Sequence, residues 1–277
     1  MDGIGTGYDQ EFLGVALPPP DSSAWDDDLV LVDGSPVIDY THFSLVLSSS
    51  RRLCRWVAWN IDKTTLRSGD GDDQLKRVAF RLDRRVPPDA QIGAEHYAAN
   101  PIDQGHIARR ADLLWGATIE EAKASNVDSF HFTNICPQLD DFNRPNLSGV
   151  WGLLEDAVLA ELKVQQRLTV FGGPVLAPDD HAFDDFRIPR SYWKVVSYVV
   201  EGQPRSRAFV LTQSLDRLRS ISPLDAFHTF ELSLSDLADL VQLGFGDDVH
   251  RGAVQTDQGA RRAGPPRLIS GLGDIDW

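Results

Sequence analysis

Hydrophobic positions along the chain fall into two rhythms. Residues 39–47 and 55–61 are dense in aromatic and β-branched side chains, which predicts two strands joined by a turn over 48–52. Residues 168–175, 193–200 and 207–213 repeat that character and predict further strands of one central antiparallel sheet. Two shorter extended segments are expected at 102–107 and through Phe130, Phe132 and Ile135, the second ended by Pro137. The other rhythm is helical. Leu147, Val150, Trp151, Leu154, Ala157, Val158 and Leu162 recur at three and four, which predicts an amphipathic helix over 147–166. Thr118, with Glu121 three residues on, reads as the capping box of a short polar helix over 118–126. Ser233 or Ser235 opens a last amphipathic helix over 234–243.

The seams are polar. Residues 1–36 are rich in Pro, Gly and Asp and read as an extended arm, and 64–73 form a Gly/Asp loop. Residues 247–277 carry Gly, Pro, Arg and Asp with little periodicity and read as a mobile tail. An α+β domain over 37–246 is left between arm and tail, a central antiparallel sheet flanked by helices.

Composition narrows the function classes. The 277 residues are 42% hydrophobic and 25% charged, as in ordinary globular chains. No apolar run approaches the roughly 18 residues of a membrane span. The acidic start Met1-Asp2-Gly3 lacks a basic-plus-apolar leader, so a cytoplasmic protein is expected, with leaderless export as the other route. Cys54 and Cys136 make no disulfide framework and read as two reduced buried thiols. The seven histidines are scattered without the ligand spacing of a zinc site. A net charge of −14 argues against tight nucleic-acid binding. Much of that charge sits in acidic pairs such as Asp72-Asp73, Asp140-Asp141 and Asp247-Asp248, while Lys76, Arg77, Arg81, Arg84, Arg85, Arg109 and Arg110 cluster around His106. A local basic cleft on an acidic protein predicts modest affinity and steep inhibition by salt.

The candidate chemistry gathers between residues 100 and 155. An imidazole at the end of a short strand, His106, and an acid one helical turn after Trp151, Glu155, could meet in one cleft. Asp103-Gln104-Gly105-His106 resembles the Asp-Arg-Gly-His motif of the DNA/RNA non-specific endonucleases, the ββα-metal (His-Me finger) nucleases that include mitochondrial endonuclease G. Residues 133–138, Phe142-Asn143 and Leu154-Glu155 follow in that family's order, and the similarity runs from about Gly7 to Gly246.

The resemblance implies a sugar- and sequence-non-specific endonuclease acting on DNA and RNA with Mg²⁺, or Mn²⁺ in its place. His106 would be the general base, since imidazole can take a proton from water near neutral pH. Asn143 would be the protein ligand of the ion, with Asn146 the alternative because 145–150 looks like an insertion. Glu155 would hold the ion's water ligands, and Arg77 would neutralise charge on the phosphate. Gln104, Arg81, Arg109, Arg110, Asn134 and Gln138 are expected to contact substrate or orient the His106 loop, while Asp103 shapes its turn. Gln104 departs from the family's usual Arg, and one lost charged contact to a transition state typically costs about 10²–10³ in rate. A catalytically weak member acting as a binding or regulatory module is the alternative. A homodimer and an inhibitor or activating partner are further expectations.

Overall fold

Strands that are buried along their whole length must be covered on both faces, and this rule shapes the molecule. The computed structural model describes residues 5–69, 71–97, 102–144, 150–213, 228–253 and 267–269. The chain opens with strands β1 (Val37–Tyr40), β2 (Phe43–Ser48) and β3 (Leu53–Asp62), then β4 (Ile102–His106) and helices α1 (Arg110–Leu113) and α2 (Ile119–Asp128). β5 (Ile135–Leu139), α3 (Asp140–Asn143) and α4 (Val150–Gln165) follow, then β6 (Arg167–Val175), β7 (His181–Phe183), β8 (Phe186–Ile188), β9 (Ser191–Val200) and β10 (Gln203–Thr212). β11 (His228–Leu232), α5 (Leu234–Val241), α6 (Asp247–Gly252) and β12 (Arg267–Ile269) close the described chain.

Eight of these strands form one sheet in the order β1-β2-β3-β6-β9-β10-β11-β12, with every neighbouring pair antiparallel. Alternation sorts its side chains into two cores. Val57, Trp59, Val170, Tyr192 and Val196 face one core, which α4 covers with Trp151 and Leu154 and the antiparallel β4–β5 pair and its exit cover with Ile107 and Ile135. Trp56, Ala58, Phe171, Trp193 and Val195 face the other, covered by Leu17 of the N-terminal segment, Leu234 and Leu237 of α5, and Val249 of α6. Each fully buried Leu, Val or Phe contributes about 1.5–3 kcal/mol, so both layers are integral to stability.

Several expected elements differ. The run 39–47 is itself a hairpin: β1 pairs with β2, and His42 in the turn takes φ +73°. His42 is buried, stacked on Trp115 at 3.5 Å and bound to the Leu113 carbonyl and Glu121, a structural histidine. Arg55 is an extra residue in β3, because Val46 pairs with Trp56 and Leu47 with Cys54. This bulge brings Cys54 and Val57 to the same face. The Thr118 hydroxyl accepts from Glu121 N as expected, but the Glu121 carboxylate reaches Ala117 N, one residue earlier than a capping box requires. Phe132–Asn134 is a 3-10 turn rather than strand. The expected tail contains α6 and β12, which adds to the sheet through β11. Cys54 and Cys136 are buried thiols with sulfurs 3.8 Å apart.

Candidate active site

β4 and β5 pair antiparallel, with His106 opposite Ile135 and Gly105 opposite Cys136. His106 is therefore the last residue of a short strand whose exit is fixed by the residue that precedes the partner strand. Ile107 N donates to the Asn134 carbonyl at 3.0 Å, and Ala108 N donates to Asn134 Oδ1 at 2.9 Å. The His106 ring packs beside Phe80, with centroids 5.4 Å apart, and edge-on to Phe130 at 5.3 Å. Arg77, itself exposed, lies over the Phe130 ring at 5.4 Å. The His106 side chain makes no hydrogen bond among the described residues, and its Nε2 is closed off from solvent. Burial pushes the imidazole pKa down to about 3, and the charges of Arg77, Arg110 and Arg109 push the same way. The ring is thus neutral at physiological pH, the state a proton acceptor needs.

On the same strand Asp103 accepts a two-pronged contact from Arg144, at 2.7 and 2.5 Å, and one hydrogen bond from Asn143 Nδ2 at 3.1 Å. A carboxylate only accepts, so the Asn143 amide gives it the NH₂ end and turns its carbonyl oxygen elsewhere. Among the described residues no three of His, Cys, Asp and Glu come together to hold a metal ion. A single hard oxygen suits Mg²⁺, which keeps most of its own waters, so the residues present fit that ion.

Glu155 on α4 is nearly buried and faces two cations. Its Oε1 accepts from Lys194 Nζ at 3.0 Å, and its Oε2 lies 3.4 Å from Arg109 Nε. Lys194 is buried on β9, 4.0 Å from the Trp151 ring. Asp112 is buried beside them, accepts from Trp59 Nε1 at 3.1 Å and leaves Oδ1 without a partner. Burial pushes the Asp112 carboxyl up to about 6, the Glu155 charge adding to the rise while Arg109 and Lys194 oppose it.

Residues 29–251 match the family model described as DNA/RNA non-specific endonuclease. The chain belongs to that family. An uncharacterized protein of Sinorhizobium fredii is 32% identical over 69% of this chain and 30% of its own length. A nuclease of Nostoc is 26% identical over 75% of this chain and 72% of its own. The human mitochondrial nuclease EXOG is 27% identical over 74% and 55%. The chain thus spans well under two thirds of the first and third of these relatives. A solved structure described as an EndoG/EndoGI complex, bearing on EndoG inhibition, shares the fold at TM-score 0.60 and 18% identity, covering 78% of this chain and 89% of that one.

Within the endonuclease fold, the other residues expected at the site divide. Asn134 was expected to touch substrate or orient the loop; it is wholly buried, and its amide binds Ala108 N, Ala108 O and Ser129 O, which leaves it nothing to offer a substrate. Gln138 is wholly buried against Gly105 and also has no substrate-facing surface. Arg109 is committed to Glu155 and to Asp156 at 2.9 Å. Arg110 reaches Asn126 Oδ1 at 2.6 Å and the Leu75 carbonyl, so it ties down the loop before Lys76. Arg81 is exposed and donates to His131 Nε2 at 3.0 Å. Gln104 is half-buried and shares a strand face with His106, two residues on. Asn146 lies outside the described residues. Sequence reasoning missed Lys194, Asp112 and Arg144. The signal for Lys194 was present, a single charge inside the otherwise apolar run of β9.

Proposed function

We propose that the chain is a metal-dependent endonuclease that hydrolyses phosphodiester bonds of DNA and RNA without regard to sugar or sequence. One observation carries the reading: at the end of β4 a neutral imidazole, unpartnered among the described residues, packs on the same Phe130 ring that an exposed arginine covers. His106 takes the proton of the attacking water. Arg77 sets its guanidinium against the phosphate oxygens. Asn143, its amide nitrogen held by Asp103, would bind Mg²⁺ through its carbonyl oxygen. Such an ion supplies positive charge to the phosphate and the departing 3′-oxygen. Lys194 and Arg109 hold the Glu155 carboxylate in place on α4, where it would orient groups near the ion.

A second reading, a catalytically weak family member used as a binding or regulatory module, draws on two observations. Both Glu155 oxygens are already engaged, and His106 Nε2 is shielded from water. Gln104 adds to it by withholding a charge. Supercoiled-plasmid nicking separates the two. Cleavage with Mg²⁺ that EDTA abolishes and His106→Ala loses supports the enzyme, whereas equal lack of cleavage in both proteins supports the module. Control by a protein inhibitor, the relationship named for EndoG, is proposed for this chain too; a purified chain whose activity in lysate matches its activity alone would argue against it.

A further inference from the structure

A cavity of about 590 Å³ opens on the far side of the wall that flanks His106. Its walls include Tyr40, Arg81 to Arg85, Lys123 and Val127 of α2, and His131. Two segments make the partition. Arg81 N donates to the Phe130 carbonyl at 3.0 Å, and Phe132 N donates to the Arg81 carbonyl at 2.9 Å. Phe80 and Phe130 turn to the His106 ring, while their neighbours Arg81 and His131 line the cavity. Arg77 lies over the Phe130 ring, which packs on His106, and Arg81 lines the cavity four residues further along the same segment. A band of cations therefore leads from the catalytic imidazole to the cavity.

The cavity's charges are equal in number but unequal in commitment. Asp83 is held by Arg85 and the Tyr40 hydroxyl, Asp128 by Thr41 N and Oγ1, and Asp39 by the Ser44 hydroxyl. Burial holds His131 below its ordinary pKa, and its Nδ1 donates to the Asp128 carbonyl. Arg81 donates only its Nε, to His131, which leaves both Nη groups unbonded, and exposed Arg84 has no partner among the described residues. Lys123 has only a loose contact with Glu120, at 3.9 Å. Of these carboxylates only Asp83 is ion-paired, to Arg85; Asp39 and Asp128 keep their charge behind hydrogen bonds from Ser44 and Thr41, and among the described residues Glu120 meets only Lys123, whereas the guanidinium groups of Arg81 and Arg84 face a space large enough for a nucleotide. Leu82, Ala124 and Val127 add an apolar surface suited to a sugar or base.

We propose that this cavity is a second subsite for the nucleic-acid strand, taking a phosphate and its nucleoside at a distance from the bond presented to His106. The inference rests on the endonuclease reading for its ligand but not on catalysis. Three exposed cations over residues 77–84, Arg77, Arg81 and Arg84, span roughly 23 Å when extended, several nucleotides of strand. The test is fluorescence anisotropy of a labelled 20-mer single strand, without metal, against His106→Ala protein and the same protein carrying Arg84→Ala, Arg84→Lys or Arg205→Ala. Arg205 is an exposed cation outside the cavity. Arg84→Ala is expected to weaken binding about tenfold and to make the salt dependence shallower by about one ion. Arg84→Lys should retain most of the affinity and Arg205→Ala nearly all of it. Equal losses from Arg84→Ala and Arg205→Ala, or none from either, overturn the subsite. So does AMP binding that matches the 20-mer, which would mark a mononucleotide site instead. If wild type fails to nick plasmid yet Arg84→Ala alone weakens the 20-mer, the subsite stands and the catalytic reading falls.

Discussion

An imidazole half-buried with its Nε2 sealed from water is costly to charge, and His106 shows where that cost appears. Its folded pKa of about 3 lies below the roughly 6.5 of an unfolded histidine. As pH falls from 6.5 toward 3 the unfolded chain takes up a proton that the folded chain refuses, so stability from this residue falls with pH. Above 6.5 neither state is protonated and the contribution is flat. Asp112 acts with the opposite sign, because its raised carboxyl binds a proton in the folded state first. Comparing wild type with His106→Gln leaves the Asp112 effect in both. The variant's thermal midpoint should therefore fall less between pH 6.5 and 4 than that of wild type, as read by calorimetry. Identical pH slopes would mean the ring is solvated. The same shift predicts no acid limb from His106 in the cleavage rate between pH 5 and 8, since the base is already neutral there.

At the scale of elements, the antiparallel β4–β5 pair shows why close packing, not only chemistry, decides its motif. A Cβ added to Gly105 would lie 2.0 Å from Gln138 Oε1 and 2.3 Å from its Cδ. The Gln138 side chain is sealed in and cannot swing away. Gly105→Ala should cost about 1–3 kcal/mol by overpacking, and Gln138→Ala should recover most of it, because the Gln138 amide has no partner to lose. Equal penalties for Gly105→Ala with and without Gln138→Ala in urea unfolding would refute the clash. Much of this level was legible in sequence. Period-two strands at 193–200 and 207–213, the helix carrying Trp151 and Leu154, and the Ser233 cap all follow from local patterning. The hairpin break at His42 was not, because its polar neighbours still carry strand-like residues on both sides and only the backbone reveals φ +73°. Nor was the Arg55 bulge, which needs a partner strand to define it. Of the site, the order of His106, Asn143 and Glu155 could be read, but their partners could not. Asn134 reads as a polar residue ready for substrate until its three backbone contacts place it inside.

For the whole molecule, the sheet is a platform with two covered faces, and β9 carries the link between platform and site. Tyr192, Val196 and Tyr198 point to the core beneath α4, and Lys194 shares their side of the strand. The only way to keep a charge there is to pair it, and Glu155 supplies that pair from α4, with Arg109, Asp112 and the Trp151 face completing the enclosure. Burial, with a smaller push from the Arg109 charge, holds Lys194 below its ordinary pKa, and the Glu155 and Asp112 carboxylates oppose that loss. Removing one member should therefore cost more than removing both. Lys194→Met leaves Glu155 buried opposite only Arg109 and is expected to destabilise by about 3–5 kcal/mol. Lys194→Met with Glu155→Gln removes both charges at similar volume and should recover most of that loss, as measured by urea midpoints. If the double variant is no more stable than the single one, the pair holds no mutual charge and α4 is fixed by packing alone. Recovered stability without recovered nicking would separate the structural part of Glu155 from its part in cleavage, since a folded α4 without its carboxylate keeps Trp151 in place but offers the site no acid from α4 beside Arg109.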